Sequence, residues 1–354
     1  MANRNDEPSS ARREFMKSAL AMSGVAAAAS FASPSRSWGA VQQVAHKALD
    51  PVNPDMLYGT TSSIWGGEQD LAFWIKRIAA LGLQGIEPYA NAIEQYRPDP
   101  LSLKRLFDDA GITMIDVSNG AKGQSTNFID PAEIPKTIAD HVAFARDFLT
   151  VFGCDHYKVN MGSRPPGGPS DEQLKRLADT LNEIGRQTIA MGIRLAPHPH
   201  MWGPMEREKD MRRVMELTDP KYVWMTADLA HLELGGADAV QVVKDYFPRI
   251  AEIHMKDTYA KYRRNQQVLT PEQHREASLY HNLGGGGVDF PAIFQVLRDR
   301  HFKGWVIFDV DSPRKGDDGF DAIGGNQTLA VDDYVAHNIN YLRDVLGVKL
   351  PPAG

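Results

Sequence analysis

Six short stretches of the chain end an apolar run in side chains that bind metals or move protons. RLAPHPH at 194–200 carries His198 and His200 two residues apart. In a strand, side chains alternate sides, so both imidazoles would share one face, with Pro199 turned opposite. HYKVNMG at 156–162 carries Lys158 and Asn160 at the same spacing, and IAEIHMKD at 250–257 carries His254 and Lys256. GWVIFDVD at 304–311 carries Asp309 and Asp311, GIEPY at 85–89 carries Glu87, and YVWMTADLAH at 222–231 carries Asp228 with His231 just beyond. Neutral imidazole and carboxylate together suit Mn²⁺, Co²⁺ or Zn²⁺, and carboxylates also admit Mg²⁺. Without a metal, several carboxylates and a lysine would have to neutralise one another. Alone, the HPH pair is no more than two polar residues at a strand end. Its weight comes from the other five stretches.

For those groups to meet, the strands must end at one place. The apolar runs alternate with segments of helical period, among them 70–82, 101–111, 131–153, 170–192, 290–302 and 332–347. Ser170 or Asp171 caps the 170–192 segment at its start and Gly192 stops it, while 131–153 reads as a long helix broken near Pro135. Alternating strands and helices predict a parallel sheet of the α/β class. Eight such units predict a closed (β/α)8 TIM barrel over residues 55–348, with its active site at the C-terminal strand ends. A doubly wound open sheet is disfavoured, because no GxGxxG follows the first strand, and Gly284–Gly287 reads as a loop. The segment after strand seven, 258–282, holds Tyr259, Tyr262, Arg263 and Arg264, and is either a cover over the substrate or a solvated excursion.

Other residues read as structural. His141, His156, His274 and His301 are taken as structural or exposed, and Asp311 as solvated or a turn former. Glu252 shares the face of His254 one step deeper and reads as buried and paired with Lys256. The single cysteine, Cys154, excludes an internal disulfide and reads as a small buried residue. A net charge of −6 argues against nucleic acid as a partner. Near the N-terminus, Arg12–Arg13 with Phe15, Lys17 and an Ala-rich stretch resembles a twin-arginine export signal over 1–32, followed by a Ser/Ala/Pro-rich linker over 33–54. That stretch is too short and weakly apolar for stable membrane insertion. The resemblance implies passage of the folded protein through a twin-arginine translocase to the periplasm. The oligomeric state stays open, a homo-oligomer included.

HMKD at 254–257, DLAH at 228–231, LAPHPH at 195–200 and the run from Gly284 to Asp311 resemble the xylose isomerase-like sugar isomerase/epimerase superfamily, in its inosose dehydratase-like branch. Carried over by position, the resemblance implies metal ligands at His198, Asp228, His254 and Asp309, holding one divalent ion, Mn²⁺ foremost. The chain departs from the family at two of them. Many members have glutamate where His198 stands, and most have glutamate where Asp309 stands. The shorter aspartate brings the metal closer to strand eight, leaves room for a water, or does not ligate.

The implied chemistry is proton abstraction next to the carbonyl of a keto-sugar or cyclitol, through an enediolate that the metal stabilises. His200 and Glu87 are the base candidates, and Lys256 stabilises an oxyanion or donates a proton. Lys158, Asn160 and His231 are placed as substrate contacts, with helix capping the other reading of His231. Returning the proton elsewhere gives isomerisation or epimerisation; expelling a β leaving group gives a dehydratase or 3-keto-glycoside lyase. A periplasmic barrel that binds sugar without catalysis is the reading from another class, supported by Asp309 and opposed by the number of titratable groups.

Overall fold

Eight parallel strands carry the site: β1 Met56–Thr61, β2 Gly85–Glu87, β3 Thr113–Met114, β4 His156–Val159, β5 Arg194–Pro197, β6 Met225–Asp228, β7 Ile250–Met255 and β8 Gly304–Phe308. They are seen in a computed structural model that describes residues 46–62, 71–118, 122–276, 279–309 and 331–352. Six strands share one sheet in the order β3-β2-β1-β8-β7-β6, and β4 pairs with β5. A bridge between Leu195 and Val223 joins β5 to the chain entering β6, where the Trp224 amide donates to the Leu195 carbonyl at 2.8 Å. Between β3 and β4 a side chain does the joining: Asp116, just past β3, accepts from the Lys158 amide at 2.6 Å. The fold is the expected (β/α)8 TIM barrel. Its β1 and β2 approach closely, since a Cβ at Gly59 would sit 2.9 Å from the Gly85 carbonyl oxygen.

Around the strands lie α1 Leu71–Ala80, α2 Pro100–Ala110, α3 Ile134–Phe144, α4 Asp171–Ile189, α5 Glu208–Leu217, α6 Leu229–Leu234, α7 Ala239–Tyr246, α8 Phe290–Asp299 and α9 Val331–Asp344. In α4, Leu174, Leu177, Leu181 and Ile184 form one buried stripe. Each such side chain contributes about 1.5–3 kcal/mol by leaving water. Its first turn is closed by a capping box in which Ser170 Oγ accepts from the Gln173 amide at 3.2 Å and Gln173 Oε1 accepts from the Ser170 amide at 2.9 Å. Among the described residues, no helix is long and apolar enough to cross a membrane.

Several sequence-based boundaries move. The helix expected over 131–153 begins at Ile134, so Pro135 stands in its first turn, where a missing N–H breaks no bond. Its irregularity is instead a π turn at Ala145–Leu149, followed by Thr150–Phe152. The sixth strand stops at Asp228 rather than running to 231, because Asp228 Oδ1 accepts from the His231 amide at 3.0 Å and caps α6. The fifth stops at Pro197, short of both histidines. The 258–282 segment is docked at its ends and partly solvated between them, with Lys261, Arg263, Arg264, Gln266, Gln267 and Val268 exposed. Asp257–Thr258 pairs antiparallel with Tyr280–His281, and Leu269, Leu279 and Tyr280 are buried against Met201 and Leu234. Asp311 and the segments 1–32 and 33–45 lie outside the described residues.

Candidate metal centre and active site

The strand ends bring His198, Asp228 and His254 together, with one ligand atom of each within 4.8 Å of the others. His198 Nε2 lies 3.5 Å and His254 Nδ1 lies 3.9 Å from Asp228 Oδ2. All three residues are buried, and among the described residues neither His198 Nε2 nor Asp228 Oδ2 has a hydrogen-bond partner. A buried polar atom left unpaired is costly, so orphaned atoms converging on one point fit a missing cation. Burial, reinforced by Lys158 and the neighbouring histidines, holds His198 well below the usual imidazole range. It is therefore neutral, the form that ligates. Burial raises the Asp228 carboxyl above its ordinary value, against the pull of Lys256. A divalent cation would reverse that balance.

Asp309 stands beside this trio and outside its 4.8 Å group. Its Oδ2 is 3.0 Å from His254 Nδ1 and 3.2 Å from Lys256 Nζ, and its Oδ1 accepts from Thr61 Oγ1 at 3.3 Å. Lys256 and His254 hold it well below the carboxylate range despite its burial. The expected fourth ligand thus faces the ligand nitrogen of His254 while engaged with a lysine.

His254 is gripped from its other side as well. Its Nε2 is 2.6 Å from Glu252 Oε1 and 2.9 Å from Glu87 Oε2. Burial and Lys158 work against a charge on this ring, yet carboxylates at both nitrogens, Glu87 and Glu252 at Nε2 and Asp309 at Nδ1, hold it well above the usual imidazole range, and a cation at Nδ1 would take the place of the proton that Asp309 accepts. Glu252 continues inward to His156, whose Nε2 is 2.6 Å from Glu252 Oε2 and whose Nδ1 is 2.6 Å from Asp155 Oδ1. Burial works against the charge on His156, yet Glu252 and Asp155 raise it to about 10. Glu252 is therefore buried as expected but paired with two histidines, not with Lys256. Lys256 turns instead to Asp309 and to the ring of Tyr280, 4.5 Å below its Nζ. His156, taken from sequence as structural or exposed, is a fully buried charged residue on β4.

Glu87 closes the same side, in contact with Lys158 Nζ, which also donates to Ser118 Oγ at 2.9 Å. Glu87 is completely buried and does not line the cavity at the strand ends. That position suits orientation of His254 better than proton abstraction from a substrate. Asp116 belongs to this interior group too, its carboxyl pushed well up by burial and by Glu87 and Glu252.

Above the trio opens a cavity of about 290 Å³. Its polar lining is Lys158, Asn160, His198, His200, Lys256 and Asp309. Its aromatic lining is Tyr89, Trp202, His274 and Tyr280. His198 and His200 do share it, with ring centres 5.2 Å apart. Asn160 Oδ1 meets His198 Nδ1 at 2.9 Å, so it orients the histidine from the side away from Asp228. His200 donates its Nδ1–H to the Met201 carbonyl at 2.7 Å, which places the lone pair on Nε2. The ring of His231 lies against that of His200, with centres 3.9 Å apart and planes inclined by 42°, while the Met201 amide donates to His231 Nδ1 at 3.3 Å. Its Nε2 lies 3.6 Å from Asp228 Oδ2 and has no hydrogen-bond partner. It does not line the cavity, so its place is behind His200. His141 is structural as expected, bonded to Tyr157 Oη at 2.7 Å, and His301 is exposed. His274 was missed: it is buried and contributes to the cavity wall. So were Asp116, Trp202 and Tyr280. The period of two along β4 and β7, which puts His156 beside Lys158 and Glu252 beside His254, was the available signal for the interior group.

An eight-stranded parallel barrel with imidazoles and carboxylates gathered at its C-terminal strand ends defines a TIM barrel whose working end is that mouth. Residues 75–344 match the xylose isomerase-like TIM barrel family, and the chain belongs to it. An inosose dehydratase of Clostridium perfringens is 30% identical over 193 residues, covering 51% of this chain and 64% of that protein. The match thus spans a little under two thirds of the relative's length. Among solved structures, the IolI protein with a zinc atom has a TM-score of 0.63 at 15% identity, over 82% of this chain and 98% of that one. The 3-keto-D-glucoside 4-epimerase from E. coli has a TM-score of 0.57 at 17% identity, over 76% and 97%. At that identity the structural likeness establishes the fold.

Proposed function

We propose that the protein is a divalent-metal-dependent enzyme that removes the proton next to the carbonyl of an unphosphorylated keto-sugar or cyclitol. The observation that carries this reading is the pair of buried, unpartnered atoms, His198 Nε2 and Asp228 Oδ2, 3.5 Å apart beneath the cavity. Held by His198, Asp228 and His254, with Asp309 adjoining, a divalent ion such as Mn²⁺ supplies positive charge against the negative charge that builds on substrate oxygen. The chain's own groups do the rest. His200 is the base, with its Nδ1–H anchored on the Met201 carbonyl and its Nε2 as the proton acceptor. Lys256, steadied by Asp309 and Tyr280, offsets charge on the substrate or returns a proton. Lys158, Asn160 and Asp309 line the same cavity.

Return of the proton to another position yields isomerisation or epimerisation. The 30% identity to an inosose dehydratase favours a second outcome from the same first step, loss of a β-hydroxyl or glycosidic oxygen. The test is a panel of keto-sugars, inososes and 3-keto-glycosides with the Mn²⁺-loaded protein in D₂O. Metal-dependent deuterium incorporation next to a carbonyl supports the reading; its absence across the panel, with metal bound, overturns it. We further propose that Arg12–Arg13 direct export to the periplasm. Replacing both with lysine should then retain the protein in the cytoplasm, and unchanged export would refute it.

A further inference from the structure

We propose that Trp202 selects a closed-ring substrate over an open chain, its indole forming the wall on which the C–H face of a six-membered sugar or cyclitol ring packs. This rests on the keto-sugar or cyclitol reading of the cavity and adds the ring requirement.

The backbone of Trp202 is in the left-handed region, with φ at 62°. L residues with bulky side chains adopt it only when the surroundings impose it, and such residues gather at functional sites. Here both backbone groups are held. The Trp202 amide donates to Glu206 Oε2 at 2.7 Å, and its carbonyl accepts from the Arg164 amide at 2.5 Å. Glu206 is buried, and burial raises its carboxyl. A buried carboxylate thus serves to keep one tryptophan in a strained turn.

The result is an indole on the cavity wall, its ring centre 6.3 Å from His200 and 5.7 Å from His274. Its one polar atom is already spent, since Nε1–H donates to the Leu269 carbonyl at 3.0 Å. What the ring offers the cavity is therefore apolar aromatic surface. Lys158, Asn160, Lys256 and Asp309 give the same cavity a polar side. A cavity lined by both polar groups and aromatic rings suits a molecule with both kinds of surface. A six-membered polyol ring has hydroxyls around its edge and C–H bonds on its face, whose positive edge complements the negative face of an aromatic ring. An open-chain polyol presents no fixed apolar face, and ordering one costs rotamer freedom.

The test is equilibrium binding of two non-reacting probes, myo-inositol and xylitol, to the full-length Mn²⁺-loaded protein, with Trp202→Gly and Trp202→Phe beside the wild type. Glycine adopts the left-handed conformation without cost, which offsets part of what is lost with the indole's packing and its bond to the Leu269 carbonyl, so the deciding readout is the ratio of the two affinities and not the thermal midpoint. The wild type should bind the ring polyol about 10-fold more tightly than the chain, and Trp202→Gly should remove about that preference by weakening the ring polyol alone. Trp202→Phe should restore most of it. Equal affinities in the wild type, equal weakening of both probes in Trp202→Gly, or no change would each overturn the assignment. A fall in thermal midpoint with both probes weakened together would instead make Trp202 a packing residue of the 258–282 segment. Failure of the wild type to bind either probe also overturns it, whereas only the deuterium assay decides the proton-abstraction reading.

Discussion

His156 opens β4 and His198 follows the end of the adjacent β5; both are buried, and their surroundings drive them to opposite states. His156 lies between two carboxylates, Asp155 and Glu252, at 2.6 Å each, and is raised to about 10. His198 meets a buried environment and positive neighbours, and is held well below the ordinary range. His156 is charged and paired; His198 is neutral, and its Nε2 has no hydrogen-bond partner among the described residues. Burial alone favours the neutral imidazole in both places. What differs is whether a carboxylate is committed to that ring. A site for a ligand is made by withholding partners, and a structural network by supplying them.

The largest effect should come from the mouth. Asp228→Asn keeps an oxygen for capping α6 and removes the anionic ligand, so metal affinity should fall by about 10³-fold or more with the secondary structure unchanged. Titration with Mn²⁺ beside circular dichroism measures both. Retention of metal in both Asp228→Asn and His254→Ala would put the centre elsewhere.

The deep group should respond in stability. The folded value of His156 is raised to about 10 from an unfolded value near 6.5. Its contribution is therefore full below about pH 6.5 and fades as pH rises through about 10. His156→Gln should cost about 3 kcal/mol at pH 6 by removing the buried positive partner of Glu252, with the gap narrowing toward pH 10. Urea unfolding at several pH values checks this. A gap that stays constant would mean the histidine carries no charge in the fold.

His200 separates ligand from base within the mouth itself. His200→Ala should keep the metal and slow proton exchange by about 10²-fold, whereas His198→Ala should lose the metal first. If His200→Ala empties the site and His198→Ala does not, the two roles are exchanged. The smallest effect belongs to a residue remote from both groups. Ser170→Ala should cost about 1 kcal/mol through the lost capping box, with metal affinity unmoved. A change in metal affinity there would show that the comparison measures general stability.

Much of the mouth was readable because parallel strands impose a period of two. His198 with His200 and His254 with Lys256 follow from that period, and Asp228 from ending its run. The capping box at Ser170 and Gln173 was readable for the same local reason, as was the loop at Gly284–Gly287. Partner choice was not. Lys256 could meet Glu252, four residues back on the same face of the chain, or Asp309 just beyond β8; only the closed barrel and the ribbon carrying Tyr280 decide for Asp309. Glu87 looked like a base because it ends a strand. Its burial against Lys158 and His254 appears only once β2, β4 and β7 face one another.

The sequence by itself determined the alternation of strands and helices, the barrel they form and the faces on which the polar residues lie, because these rest on local periodicity and caps. Only the tertiary structure decided which histidine is charged, which carboxylate is spoken for and where Trp202 points. Each of those depends on atoms brought within a few ångströms from strands far apart in the chain, and on the low dielectric that makes one missing or added partner decisive.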